Sequence, residues 1–125
     1  MRIKVESKVI EMGNVAYDKS FAYAVKILTL SEGLTNKHKY ELASQVIRSG
    51  TSIGANIAES EYAQSGGDFV SKMSIALKEA SESRYWIRLL RASGNISEET
   101  SKQLLRDIDE IIRILAASVK TAKQK

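Results

Sequence analysis

The 125-residue chain contains no cysteine and no proline, a single histidine, one tryptophan and seven glycines. Without cysteine there is no disulfide framework, no thiol nucleophile and no thiolate zinc site. One histidine excludes a multi-histidine metal centre within one chain. The absence of proline favours long helices, because proline normally punctuates loops and sheet edges. No apolar run approaches the ~20 residues needed to cross a bilayer. The start, Met1-Arg-Ile-Lys-Val-Glu-Ser-Lys8, is interrupted by charge too often to form a signal-peptide core. These absences predict a cytoplasmic protein without membrane association.

What is present is the composition of one folded domain, with 43% apolar and 27% charged residues. Nineteen Lys and Arg against fifteen Asp and Glu give a net charge of +4. That excess permits contact with nucleic acid or an anionic partner without requiring it. Both signs are interspersed, except in the tail, with Lys120, Lys123 and Lys125, and in the triplet Arg84, Arg88 and Arg91, which shares one helical face.

The hydrophobic spacing predicts four helices. Residues 1–16 alternate partly, with a Gly13-Asn14 turn signal, and are expected to form a loose or extended N-terminal arm; residues 17–125 are expected to form the folded domain. In the first helix Tyr17, Phe21, Ala24 and Leu28 share one face, and Gly33 is placed to end it in the left-handed C′ conformation. The second helix, from about His38 to Tyr62, carries two rows. Leu42, Val46, Ser49, Ile53, Asn56 and Ser60 form one; Ala43, Ile47, Gly50, Gly54 and Ile57 form the other. Small residues four apart let another helix approach closely, which must offset the ~1 kcal/mol that each interior glycine costs.

Ser65 opens the third helix in a capping-box arrangement with Asp68, and Gly94-Asn95 closes it. Its row of Phe69, Met73, Ala76, Ala80, Ser83, Ile87 and Leu90 steps regularly by four and three. Ser97 opens the fourth helix, whose row is Leu104, Ile108, Ile111, Leu115 and Ser118. Arg106–Glu110 and Asp109–Arg113 are spaced as pairs along its wet side. Four helices with short connections predict an all-α, antiparallel up-down-up-down four-helix bundle.

A second row on the third helix contains Ile75, Glu79, Glu82, Trp86 and Leu89. Carboxylates interrupting an apolar row suit a subunit interface better than a monomer core, with Arg48 or a neighbour's cation as their partner. Arg48, Ser52, Asn56 and Glu59 share one side of the second helix and are expected to form a polar network across helices. Glu79 and Glu82 could in principle serve catalysis or a metal. The Glu-x-x-His spacing of di-metal bundles is absent, however, because position 82 is glutamate. His38 reads as a solvated or capping residue. Gly66-Gly67 is a helix entry and not a phosphate loop. No catalytic set, cofactor motif or metal site emerges.

The stretch from Gln45 to Leu90 resembles the bacterial four-helix bundle protein family, which includes proteins encoded in intervening sequences of large-subunit ribosomal RNA genes. The resemblance is carried by Arg48-Ser-Gly-Thr-Ser-Ile-Gly-Ala-Asn56-Ile-Ala-Glu59, by Ala63-Gln-Ser65 with Asp68-Phe69, and by Ile75-Ala76 with Glu79, Glu82, Tyr85 and Trp86. It extends more weakly over Ser20–Leu30 and Asn95–Val119. Ser60 stands where many relatives have glycine. The resemblance implies a helical bundle assembled as a ring-like homopentamer, with no established enzyme activity. It is distantly similar to accessory proteins of diversity-generating retroelements, which look like basic pentameric scaffolds for a polymerase and nucleic acid.

Together these readings predict a non-enzymatic oligomeric scaffold, without cofactor, that engages itself and a protein or ribonucleoprotein partner, such as a nucleic-acid-processing protein. The alternative is direct RNA or DNA binding through repeated basic strips formed by Arg84, Arg88, Arg91, Lys120 and Lys123.

Overall fold

The computed structural model describes residues 2–124, with side chains from residue 14 onward. Four helices follow in order: α1 (Arg2–Asn36), α2 (Tyr40–Ser60), α3 (Gly66–Ala92) and α4 (Glu98–Lys123), with no strand among the described residues. Each packs on two neighbours: α1 and α3 both lie against α2 and α4. The four thereby close around a single core.

The expected rows of α3 and α4 are the buried ones, except that Phe69 at the start of the α3 row is only partly buried. Met73, Ala76, Ala80, Ser83, Ile87 and Leu90 line the core from α3; Leu104, Ile108, Ile111, Leu115 and Ser118 line it from α4. The serines embedded in these rows are also buried, and so are Ser20, Ser31, Ser49, Ser60 and Ser101. Small side chains of this kind keep helices close. Several discharge their hydroxyls on their own helix: Ser49 Oγ donates to the Gln45 carbonyl at 3.0 Å and Ser60 Oγ to that of Ile57 at 2.6 Å.

The first helix differs from expectation in three respects. It begins at Arg2, so residues 2–16 are helical and not an extended arm. Val5, Val9, Met12 and Ala16 are spaced by four, three and four. That is also a helical period, and no proline interrupts it. Its buried row is Ala16, Ser20, Tyr23, Ile27, Ser31 and Leu34, while Phe21 and Leu28 of the expected row are exposed. The core takes the small residues because α2 lies close. A Cβ added to Gly50 would stand 2.8 Å from Ile27 Cγ2, and one added to Gly54 would stand 3.7 Å from Ser20 Cβ. The glycine pair of α2 is the close-approach surface that its spacing predicts.

Third, α1 runs through Gly33 to Asn36 and is ended by His38. His38 holds φ +63°, with its N–H donating to the Thr35 carbonyl at 2.9 Å and the Lys39 N–H to that of Leu34 at 2.9 Å. This is a Schellman closure with a histidine in the place usually given to glycine. Its imidazole Nδ1 lies 2.6 Å from the Tyr40 hydroxyl. Gly94 closes α3 in the same manner at φ +74°, with the Asn95 N–H donating to the Leu90 carbonyl at 2.9 Å.

The expected caps also form. Ser65 Oγ accepts from the Asp68 N–H at 3.1 Å and Asp68 reaches back to the Gln64 N–H at 3.1 Å. Ser97 Oγ accepts from the Thr100 N–H at 3.1 Å. None of the helices is long and apolar enough to cross a membrane, among the described residues.

Candidate interaction surfaces

Arg48, Glu79, Glu82 and Trp86 form one connected group on the outer seam between α2 and α3. Arg48 Nη1 donates to Glu79 Oε2 at 3.0 Å, and its Nη2 pairs with Glu82. Trp86 Nε1 donates to the same Glu82 oxygen at 3.1 Å. The planar guanidinium serves two carboxylates at once, as its fork of donors allows. Glu79 is the deepest of the three charged members, its side chain 15% exposed. The partner for these carboxylates is therefore Arg48 of the same chain. Both are committed to it, which leaves them poorly placed to serve as a free acid–base pair.

The rest of the expected network is local. Asn56 Nδ2 donates to the Ser52 carbonyl at 2.9 Å, and Ser52 Oγ to the Arg48 carbonyl at 2.5 Å, both within α2. Only Glu59 also crosses to α3, through Lys72 Nζ at 3.2 Å. The four polar residues of α2 thus share a side without joining one another across the helices. Asn56 and Ser52 satisfy backbone carbonyls along the helix, as short polar side chains readily do.

The arginine triplet of α3 divides. Arg84 Nε donates to Asp109 Oδ1 at 2.7 Å, and Arg91 grips Glu98 bidentately at 3.1 and 2.7 Å. That grip, chiefly its hydrogen bonding, holds the Glu98 carboxyl below its ordinary range. Arg88 is exposed and makes no ion pair among the described residues. Lys120 and Lys123 are likewise exposed at the end of α4, on the helix terminus that favours cations.

Among the described residues, two apolar stripes remain uncovered. On α1, Phe21, Val25 and Leu28 are 59%, 51% and 46% exposed, with Tyr17 tilted against Phe21 at a centroid distance of 6.1 Å. On α3, Ile75, Tyr85 and Leu89 are also exposed beside a half-buried Trp86, against whose indole the Tyr85 ring packs edge-on. The face on which spacing puts Tyr17, Phe21, Ala24 and Leu28 is mostly outward: Tyr17 packs at the core edge, whereas Phe21 and Leu28 are surface. The glycines of α2 are the usable signal: they admit a close neighbour, and α1 supplies it with Ile27 opposite Gly50 and Ser20 opposite Gly54. An open groove of about 450 Å³ lies between α1 and α4, lined by Val25, Lys26, Leu30, Ile96 and Thr100.

Comparison with known proteins places this geometry in a family. No curated protein matches the chain. A solved structure of a protein of unknown function from the S23 ribosomal protein family of Bacteroides thetaiotaomicron is 44% identical, with a TM-score of 0.83 over 87% of this chain and 98% of that one. The family model described as 23S rRNA-intervening sequence protein matches residues 13–117. This span takes in the Arg48 group, both apolar stripes and the glycine pair of α2, and by it the chain belongs to the 23S rRNA-intervening sequence protein family.

Proposed function

We propose that the protein is a non-enzymatic, cytoplasmic scaffold, an up-down-up-down helical bundle that assembles with copies of itself and engages a protein or ribonucleoprotein partner. The observation that carries this is the uncovered stripe of Phe21, Val25 and Leu28 on α1. Large apolar side chains at helical spacing on one exposed face are the mark of an interaction surface. Each is already about half covered, so burying the remainder contributes roughly 0.7–1.8 kcal/mol each.

The second stripe, on α3, supports a particular form of assembly. α1 and α3 make no backbone approach to each other and sit at opposite corners of the core. A protomer whose two sticky faces are different and lie on opposite corners joins head to tail. Such heterologous contacts close into a ring when the rotation permits. A ring of five, as the sequence resemblance implies, is one such closure. The up-down-up-down order is supported by the registers of the ion pairs. Residue 59 meets 72 where 48 meets 79, and 84 meets 109 where 91 meets 98.

Light scattering coupled to size exclusion tests the reading. The protein at micromolar concentration is expected to elute as a closed oligomer, and Phe21→Glu with Leu28→Glu as a helical monomer. A wild-type monomer overturns the proposal, as does an oligomer that the double substitution leaves intact.

A further inference from the structure

The cations of α4 are not neutralised by the carboxylates of α4. Helical spacing pairs Arg106 with Glu110 and Arg113 with Asp109, but both acids turn to other helices. Asp109 accepts from Arg84 of α3 at 2.7 Å, and Glu110 pairs with Lys19 of α1 at 2.7 Å. Asp107 and Glu98 do the same, with Lys26 at 2.6 Å and Arg91 at 2.7 Å. Four of the acidic groups of α4 are thereby spent on holding α4 to its neighbours.

Lys102, Arg106, Arg113 and Lys120 are left exposed, and none makes an ion pair or side-chain hydrogen bond among the described residues. Glu98 and Glu110 are close enough to feel Lys102 and Arg113 through space, but their hydrogen bonds go elsewhere. The four cations step by four, seven and seven along the chain, on the side of α4 opposite Leu104, Ile108, Ile111 and Leu115. At ~1.5 Å per residue their ridge spans ~27 Å. Between Arg113 and Lys120 it is floored by exposed Ala116 and Ala117, which put no bulk between the charges. The register set by Arg84–Asp109 and Arg91–Glu98 brings exposed Arg88 of α3 to the level of Lys102 and Arg106.

We propose that this ridge of Arg88, Lys102, Arg106, Arg113 and Lys120 binds the phosphate backbone of nucleic acid, in place of the α3 triplet that spacing alone suggests. Its length and its excess of cations, broken at the N-terminal end by exposed Glu99 seven residues before Arg106, suit a linear polyanion with a charge every ~1.7 Å of duplex axis. An interfacial membrane helix would show large apolar residues beside its cations, whereas those of α4 face the core. The surface lies on one protomer and does not depend on the assembly proposed above.

Fluorescence anisotropy of labelled duplex RNA and duplex DNA against the full chain tests the proposal. Neutralising four to five phosphates predicts a fall in affinity of roughly 100- to 500-fold between about 50 and 200 mM salt. Arg106→Gln with Arg113→Gln is expected to weaken binding by about 10-fold or more and to reduce the log–log salt slope by about 2. Lys37→Gln with Lys78→Gln removes the same charge from other exposed positions and is expected to change affinity by less than about 3-fold. Circular dichroism and light scattering on each variant separate lost contact from lost fold or lost assembly. An equal loss in the control variant overturns the proposal, as does unchanged binding in the α4 variant. Absence of binding to either duplex at about 50 mM salt also overturns it.

Discussion

Tyr23 Oη lies 2.7 Å from Ser83 Oγ, a hydrogen bond that crosses the core between two helices whose backbones do not meet. The phenol is almost fully buried, so its bulk fills the centre while its one polar atom is satisfied. Ser83→Ala leaves that hydroxyl unpaired and is expected to cost about 1–3 kcal/mol. Tyr23→Phe removes the bond but keeps the ring, and is expected to cost about 1 kcal/mol. Denaturant titration of the two variants should rank them in that order.

The same phenol gives stability a pH dependence. Burial pushes its pKa well above the usual range, against a smaller opposing effect of the Ser83 hydrogen bond. Above pH ~10 the unfolded tyrosine loses its proton while the folded one keeps it, so the native state binds more protons and stability falls as pH rises. This one group contributes a fall of up to about 1.4 kcal/mol per pH unit. Subtracting the alkaline melting profile of Tyr23→Phe from that of the wild type should isolate it.

Gly50→Ala improves intrinsic helicity by about 1 kcal/mol, yet the new methyl would meet Ile27 Cγ2 at 2.8 Å and Cγ1 at 2.9 Å. Those atoms branch from a side chain fixed in the core and cannot swing aside. The substitution is expected to destabilise by about 1–3 kcal/mol. Combined with Ile27→Ala it should cost less than the two changes summed, and a double-mutant cycle in urea measures that difference.

Arg48→Met leaves Glu79 and Glu82 facing each other without their shared cation. A loss of about 1–2 kcal/mol is expected, largely recovered when both carboxylates become glutamine. Arg48→Lys should recover little, since one ammonium lacks the fork that reaches both partners. Thermal melts of the four proteins are sufficient to decide.

Glu98 and Glu110 are held below their ordinary range mainly by hydrogen bonds from Arg91 and Lys19. Their contribution is complete above the unfolded carboxylate value near ~4.3 and disappears as pH falls through the lower folded values. Glu98→Gln with Glu110→Gln should therefore flatten the acid limb of the melting-temperature profile. Because both pairs are exposed, high salt should shrink the difference.

His38→Gly should stabilise, because the left-handed conformation at φ +63° costs an ordinary residue about 1 kcal/mol and glycine little. Loss of the hydrogen bond to Tyr40 offsets part of that gain. A rise in melting temperature is the expected sign.

The sequence made α3 and α4 legible because their large apolar residues and their core face coincide. Met73 to Leu90 and Leu104 to Ser118 keep one unbroken phase, and Ser65, Ser97 and Gly94 mark ends whose chemistry is local. In α1 size and burial part company. Phe21 and Leu28 look like core but face outward, while Ala16 and Ser20 look indifferent but sit against α2. That choice is made by the partner helix, so periodicity within α1 could not reveal it. The charge pattern of α4 misled for a related reason. Glu110 and Asp109 each have a cation four residues away on their own helix, yet the cations they pair with, Lys19 and Arg84, are far away in the chain. For the surfaces, Arg48, Glu79, Glu82 and Trp86 were recognisable as a set, but their closure within one protomer required the α2–α3 register.

The glycine pair of α2 also bears on how the chain reaches its native state. A 21-residue segment carrying two interior glycines is a poor helix in isolation. It becomes favourable only when Gly50 settles against Ile27 and Gly54 against Ser20. Those partners precede it in sequence and leave the ribosome first, so α1 can template α2 during synthesis. A segment holding only the first two helices is therefore expected to show more helix by circular dichroism than the two helices measured apart.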